Sequence, residues 1–155
     1  MQLYLLRHAD ADTPAEADED RALSEKGHDQ AKKMGAFMAR HDMTPEIILS
    51  SPVRRAHETA KHVSSALGSK VQTAPWLACG LEPAEGLKEV SALSGRRSVL
   101  IVGHEPDFSR LIAHLTGLPT HTAIHVRKAS LTLIEIEIFK PGAARIEFFI
   151  PCQVL

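Results

Sequence analysis

Three short apolar segments decide most of what this chain can become. Leu3–Leu6, Ile47–Leu49 and Val99–Val102 are too short for helices, and each runs within a residue or two into basic, hydroxyl or imidazole side chains. Apolar runs of this length read as strands buried on both faces, the mark of a parallel sheet covered by helices. Helical patterns lie between them. Ser24 predicts an N-cap, and Ala31, Met34, Phe37 and Met38 predict an amphipathic helix to about Arg40. Ser51-Pro52 predicts a second helix, with Ser as cap and Pro at the first position. Ala56, Thr59, Ala60, Val63 and Leu67 line its inner face, and Gly68 closes it. Val71–Ala74 reads as a short strand and Trp76–Gly86 as a loop. Leu87, Val90 and Leu93 predict a short helix up to Gly95. Pro106 opens a further helix bearing Phe108, Leu111, Ile112 and Leu115, which Gly117 ends. Ile134, Ile136 and Ile138 alternate with Glu135 and Glu137 as in a half-exposed strand. After Pro141-Gly142, Ile146–Ile150 returns as its hairpin partner. This order predicts an α/β fold, a three-layer sandwich with a mostly parallel central sheet, helices on both faces and a C-terminal β-hairpin. A chain of 155 residues suits a single domain, residues 1–155.

In such sheets the ligand sits beyond the carboxyl ends of the strands. The first strand delivers Arg7-His8-Ala9 to that edge, the second Ser50-Ser51-Pro52-Val53-Arg54-Arg55, and the third Gly103-His104-Glu105-Pro106. Two imidazoles and two guanidiniums would converge there beside helix N-termini, whose free N–H groups favour anions. Arginine is the side chain of choice for bidentate phosphate binding, so the expected ligand is a phosphoryl group. His28, His41, His57, His62 and His114 sit in helical patterns and are expected to be ordinary surface or half-buried side chains. His8, Asp10, His104 and Asp107 together imitate a metal site, but Arg7 and Arg55 would compete with a cation, so no metal and no cofactor are expected. Eighteen basic residues against nineteen acidic ones leave a net charge of −1, which offers no grip for nucleic acid. Two separated cysteines, Cys79 and Cys152, make no disulfide framework, so the cytoplasm is the expected compartment. No apolar run reaches the ~18 residues of a membrane span. Six acids between Asp10 and Asp20 read as an exposed loop at the mouth of the site, which would bias the protein toward basic targets.

These strand-end motifs resemble the histidine phosphatase superfamily, the phosphoglycerate mutase-like enzymes. Arg7-His8-Ala9 is similar to its signature, with Ala9 where Gly is usual. Ser51-Pro52-Val53-Arg54-Arg55-Ala56 with Thr59 resembles its second stretch and assigns the role to Arg55; Gly103-His104-Glu105-Pro106 resembles the second-histidine motif. Arg21-Ala22-Leu23-Ser24-Glu25-Lys26-Gly27 resembles a stretch of one short branch, the SixA-type phosphohistidine phosphatases, which carry no cap domain. The resemblance implies that neutral His8 attacks phosphorus and forms a covalent phosphohistidine, while Arg7, Arg55 and a protonated His104 hold the oxygens and Arg21 adds a fourth cation. The implied substrate is phosphohistidine on a phosphorylated protein, such as a histidine-containing phosphotransfer domain, with inorganic phosphate as product. The alternatives are a small-molecule phosphomonoesterase and a catalytically silent phosphate-binding module. Glu105 is the candidate general acid, and Glu82 a weaker one.

Overall fold

The computed structural model describes residues 1–13 and 17–155. Its main elements are β1 (Gln2–Arg7), α1 (Glu25–Arg40), β2 (Ile47–Ser50), α2 (Arg54–Leu67), β3 (Val71–Thr73), α3 (Pro83–Ser91), β4 (Ser98–Gly103), α4 (Asp107–Thr116), β5 (Leu131–Glu135) and β6 (Arg145–Ile150). The strands form one six-stranded sheet in the order β3-β2-β4-β1-β5-β6. β3, β2, β4 and β1 run parallel, and β5 and β6 join antiparallel as the expected hairpin.

Successive side chains of a strand point to opposite faces, and the two halves of the core follow that rule. Leu3 and Leu5 pack with Val99, Ile101, Phe108, Leu111 and Ile112, under α3 and α4. Tyr4 and Leu6 pack with Leu100, Val102, Met34, Met38, Ala60 and Val63, under α1 and α2. The apolar strands read without alternation because both faces are covered.

Several elements depart from the sequence expectation. α3 begins at Pro83, not near Leu87, and Gly86 belongs inside it. A Cβ on Gly86 would lie 2.9 Å from the Leu111 side chain, so glycine there permits α3 to press on α4. β5 starts at Leu131, and Ile138 lies beyond it, 57% exposed. β5 is an interior strand, between β1 and β6, so Leu131–Ile134 are all buried and no alternation marks them. α2 begins at Arg54 with Val53 at the cap position, so Ser51 is not its N-cap. Ser24 does cap α1, accepting the Gly27 amide at 3.0 Å. Gly27 has no room for a side chain: a Cβ would fall 1.9 Å from the Asp10 carbonyl oxygen. This contact locks the first turn of α1 against the chain that leaves β1. Among the described residues no helix is long and apolar enough to cross a membrane.

Candidate active site

The sheet register brings the three motifs to one edge. Arg7 pairs with Gly103 and Ser50 with Val102, so β1, β4 and β2 end together. The ladder runs one residue further, with the His8 amide on the Gly103 carbonyl and the Ser51 amide on the Val102 carbonyl, both 2.9 Å. His8, Ser51, Arg55 and His104 are all buried.

Hydrogen bonding fixes the state of His8. Its Nδ1 lies 2.7 Å from the Ala9 carbonyl oxygen, which only accepts, so Nδ1 carries the proton. Arg55 Nε donates to His8 Nε2 at 3.3 Å, and that nitrogen therefore presents its lone pair. Burial first, then the neighbouring His104, Arg55 and Arg7, holds the imidazole pKa down to about 3, opposed by the bond to Ala9. Ala9 itself keeps a negative φ, so alanine serves where glycine is usual, and its amide donates to Thr59 Oγ1 at 3.0 Å.

His104 is also neutral, held to about 4 by burial and by Arg55, which corrects the expectation of a protonated donor. It donates all the same. Its Nε2 lies 2.8 Å from Ser51 Oγ, whose hydroxyl is fully buried and already accepts the Val53 amide. A Ser51 hydroxyl donating to Nε2 satisfies both groups and leaves the proton on Nδ1. That Nδ1 is buried without a partner, and so is Arg7 Nε. The His8 and His104 rings stand 5.3 Å apart. An unprotonated nitrogen and two unpartnered buried nitrogens thus belong to side chains gathered at one sheet edge, and burying a donor without a partner is costly unless a ligand completes it.

Arg7 is fixed from a segment that no motif marked. Its Nη1 donates to the Val126 carbonyl at 2.8 Å, and the Ala129 amide bonds both the Arg7 and His8 carbonyls at 3.1 and 3.2 Å. Ala129 adopts φ 54 to do so, an unusual conformation for alanine. Lys128 reaches across to Asp10 at 2.6 Å.

Arg21 lies on the same side but is engaged by backbone and by Asp18: Nε donates to the Asp12 carbonyl at 2.7 Å and Nη1 to Asp18 Oδ1 at 2.9 Å. The acidic stretch is therefore more than a solvated loop. Asp10 binds Lys128 and Ser24, and Asp18, exposed like Glu19 and Asp20, binds Arg21 and Arg55. Glu16 falls outside the described residues. Glu105 is half-buried, and burial pushes its carboxyl above the ordinary value, against the Ser109 bonds and the charge of Arg7. Glu82 is exposed at the start of α3. Asp107 accepts the Gly80 amide at 2.9 Å, and Asp10 pairs with Lys128 at 2.6 Å. His28 and His62 bond each other at 2.8 Å between α1 and α2. A cleft of about 400 Å³ opens beside Arg55, lined by Asp18, Val53, Ala78 and Cys79 among others.

Neutral buried imidazoles make stability depend on pH. In the unfolded chain His8 and His104 take up protons below about pH 6.5, and in the native pocket they do not until far lower. Their contribution is complete above about pH 6.5 and is lost as pH falls toward about 4. The urea midpoint is therefore expected to drop between about pH 7 and about pH 5 in a phosphate-free buffer, and less so in His8→Asn. Equal midpoints in the wild type would place protons on the native imidazoles.

The family model of the Histidine phosphatase superfamily (branch 1) matches residues 3–78. The chain is 30% identical over 119 residues to phosphohistidine phosphatase SixA of Escherichia coli K12, covering 74% of each. Its fold superposes on the protein histidine phosphatase SixA complexed with tungstate with a TM-score of 0.90, at 24% identity and 99% coverage of both chains. It also matches the fold of a mycobacterial glucosyl-3-phosphoglycerate phosphatase complexed with VO3, TM-score 0.78, at 20% identity with 95% and 97% coverage.

Proposed function

Because the chain belongs to the histidine phosphatase superfamily, in its SixA-type branch, we propose that it hydrolyses phosphohistidine on a phosphorylated protein through a covalent intermediate on His8. The observation that carries this reading is the pairing of an unprotonated His8 Nε2 with two buried, unpartnered donors, Arg7 Nε and His104 Nδ1. A module that only bound phosphate would need the donors and not an oriented lone pair.

In the first step the Nε2 lone pair leaves the Arg55 Nε–H, which turns to a phosphoryl oxygen, and forms a bond to phosphorus as the P–N bond of the substrate breaks. The bonding pair returns to the substrate imidazole, which leaves neutral when its other nitrogen carries a proton. Arg7, Arg55 and His104 hold the equatorial oxygens as charge spreads over them. Arg21 serves as a further cation at the rim. In the second step a water oxygen bonds to phosphorus, the P–Nε2 bond breaks, and the pair returns to His8. Both hydrogens of the water leave with orthophosphate. Nδ1 keeps its proton and donates it to the Ala9 carbonyl throughout, so the phosphorylated ring keeps the character of an imidazolium, a good leaving group. No step needs a metal or a cofactor.

The same site admits a second reading. Glu105 retains its proton more readily than an ordinary carboxyl and lies within electrostatic reach of Arg7. A protonated carboxyl suits an alkoxide leaving group, which favours a small-molecule monoesterase. Measured kcat/KM is expected to be about 100-fold or more higher for a phosphohistidyl protein than for alkyl phosphates, with Glu105→Gln changing the first by less than about threefold. Comparable rates on both classes, with a large loss on esters in Glu105→Gln, would make Glu105 the acid and the protein a monoesterase.

A further inference from the structure

The Asp18 carboxylate occupies donors of two cations, Arg55 beside the nucleophile and Arg21 at the rim. The guanidinium of Arg55 is planar, and its Nε and Nη2 hydrogens point the same way, as a fork. Nε donates to the nucleophilic His8 Nε2 at 3.3 Å, and Nη2 donates to Asp18 Oδ2 at 2.9 Å. A carboxylate oxygen thus occupies Nη2, the nitrogen that shares the fork with the Nε–H facing the nucleophile, on the guanidinium a phosphoryl group on His8 would need. The other carboxylate oxygen takes Arg21 Nη1 at 2.9 Å. Both cations are held independently by backbone oxygens. Arg55 Nη1 donates to the Asp18 carbonyl at 2.6 Å, and Arg21 donates to the Asp12 and Ala11 carbonyls at 2.7 and 3.4 Å. The carboxylate can therefore leave without releasing the arginines. Its side chain is 66% exposed, and no residue of the Asp18–Asp20 turn is buried, so little packing opposes the move.

We infer that Asp18 is a resident anion of the phosphoryl site: its carboxylate occupies Arg55 and Arg21 between turnovers, yields to the substrate phosphoryl group, and returns to displace orthophosphate. This rests on the reading that the pocket takes a phosphoryl group, and it adds a residue that sets product release. The carboxylate competes with phosphate for the same donors and repels it through like charge, so removing its charge strengthens phosphate binding. A residue that merely braced the arginines would have the opposite effect when changed.

The test is calorimetric titration of orthophosphate and of vanadate into wild type, Asp18→Asn, Glu19→Gln and Arg55→Ala, with thermal unfolding as the check of fold. Glu19→Gln makes the same change of net charge on the exposed neighbour. Orthophosphate is expected to bind Asp18→Asn about tenfold more tightly than wild type, with Glu19→Gln within about twofold of wild type and Arg55→Ala much weaker. Product inhibition of turnover should deepen in parallel in Asp18→Asn. Unchanged or weaker binding in folded Asp18→Asn would overturn the inference and make the carboxylate a brace. If neither anion binds folded wild type or Asp18→Asn at about 10 mM, the phosphoryl-site reading itself fails, and the inference with it.

Discussion

His8→Ala is expected to lower kcat on a phosphohistidyl protein by about 10⁴-fold or more, with no phosphoryl-enzyme formed and the fold intact. The size follows from what is removed. His8 alone presents an oriented lone pair inside the cluster of donors, with its Nδ1 proton fixed on the Ala9 carbonyl and its Nε2 faced by Arg55. His104 does not replace it, since its Nε2 is engaged by Ser51 and its Nδ1 bears the proton. The backbone bonds of His8 to Gly103 and Ala129 do not involve its side chain and persist in the alanine variant, so the fold is expected to hold. The measurement is a quench of wild type and variant with labelled substrate, scored for a base-stable, acid-labile phosphoryl group. Label retained on folded His8→Ala would move the nucleophile elsewhere. A variant with nearly full turnover and no label would replace the covalent path with direct attack by water.

The parts of this site that the sequence reveals are those carried by side chains at strand ends. Apolar runs mark β1, β2 and β4, parallel pairing forces their ends together, and the residues just beyond them must then be neighbours. Arg7, His8 and His104 follow from that, whereas the choice of Arg55 over its neighbour Arg54 rests on the resemblance to the family's second stretch. The supports were hidden for distinct reasons. Val126 and Ala129 act through a carbonyl and an amide that any residue supplies, so no residue type announces them. Ser51 sits before a proline and reads as a helix cap, whereas its hydroxyl orients His104; only the position of β4 beside β2 reveals this. Asp18 looked like one acid of a charged run, because ion pairs formed by a returning loop leave no periodicity. Gly27 carried a signal, its place in a motif, but the reason for it is a backbone contact with Asp10 distant in sequence.

Arg55→Lys is expected to cost about 10²- to 10³-fold in kcat/KM, expressed mostly in kcat, and Arg55→Ala at least as much. Charge alone is not what the position supplies. Arg55 is buried, and its three nitrogens serve different partners: Nε faces His8 Nε2, Nη1 the Asp18 carbonyl, and Nη2 the Asp18 carboxylate. An ammonium delivers its hydrogens from one point on a flexible stem and cannot present the two parallel donors that Nε and Nη2 turn to phosphoryl oxygens once Nε2 has given its lone pair to phosphorus. As phosphorus passes to Nε2, the equatorial oxygens gain contact with these donors, so the interaction grows toward the transition state and its loss falls on kcat. On the proposed phosphoprotein substrate KM is expected to stay within a few-fold. Burial remains the first reason that His8 is neutral, so the lysine variant still presents an unprotonated nucleophile at about pH 7, which isolates geometry as the cause of the loss. The discriminating measurement is the split between kcat and KM across about pH 5 to 8 for wild type, Arg55→Lys and Arg55→Ala. If lysine restored kcat and raised only KM, Arg55 would act as a ground-state anchor, and stabilisation of the transferring group would rest on Arg7 and His104.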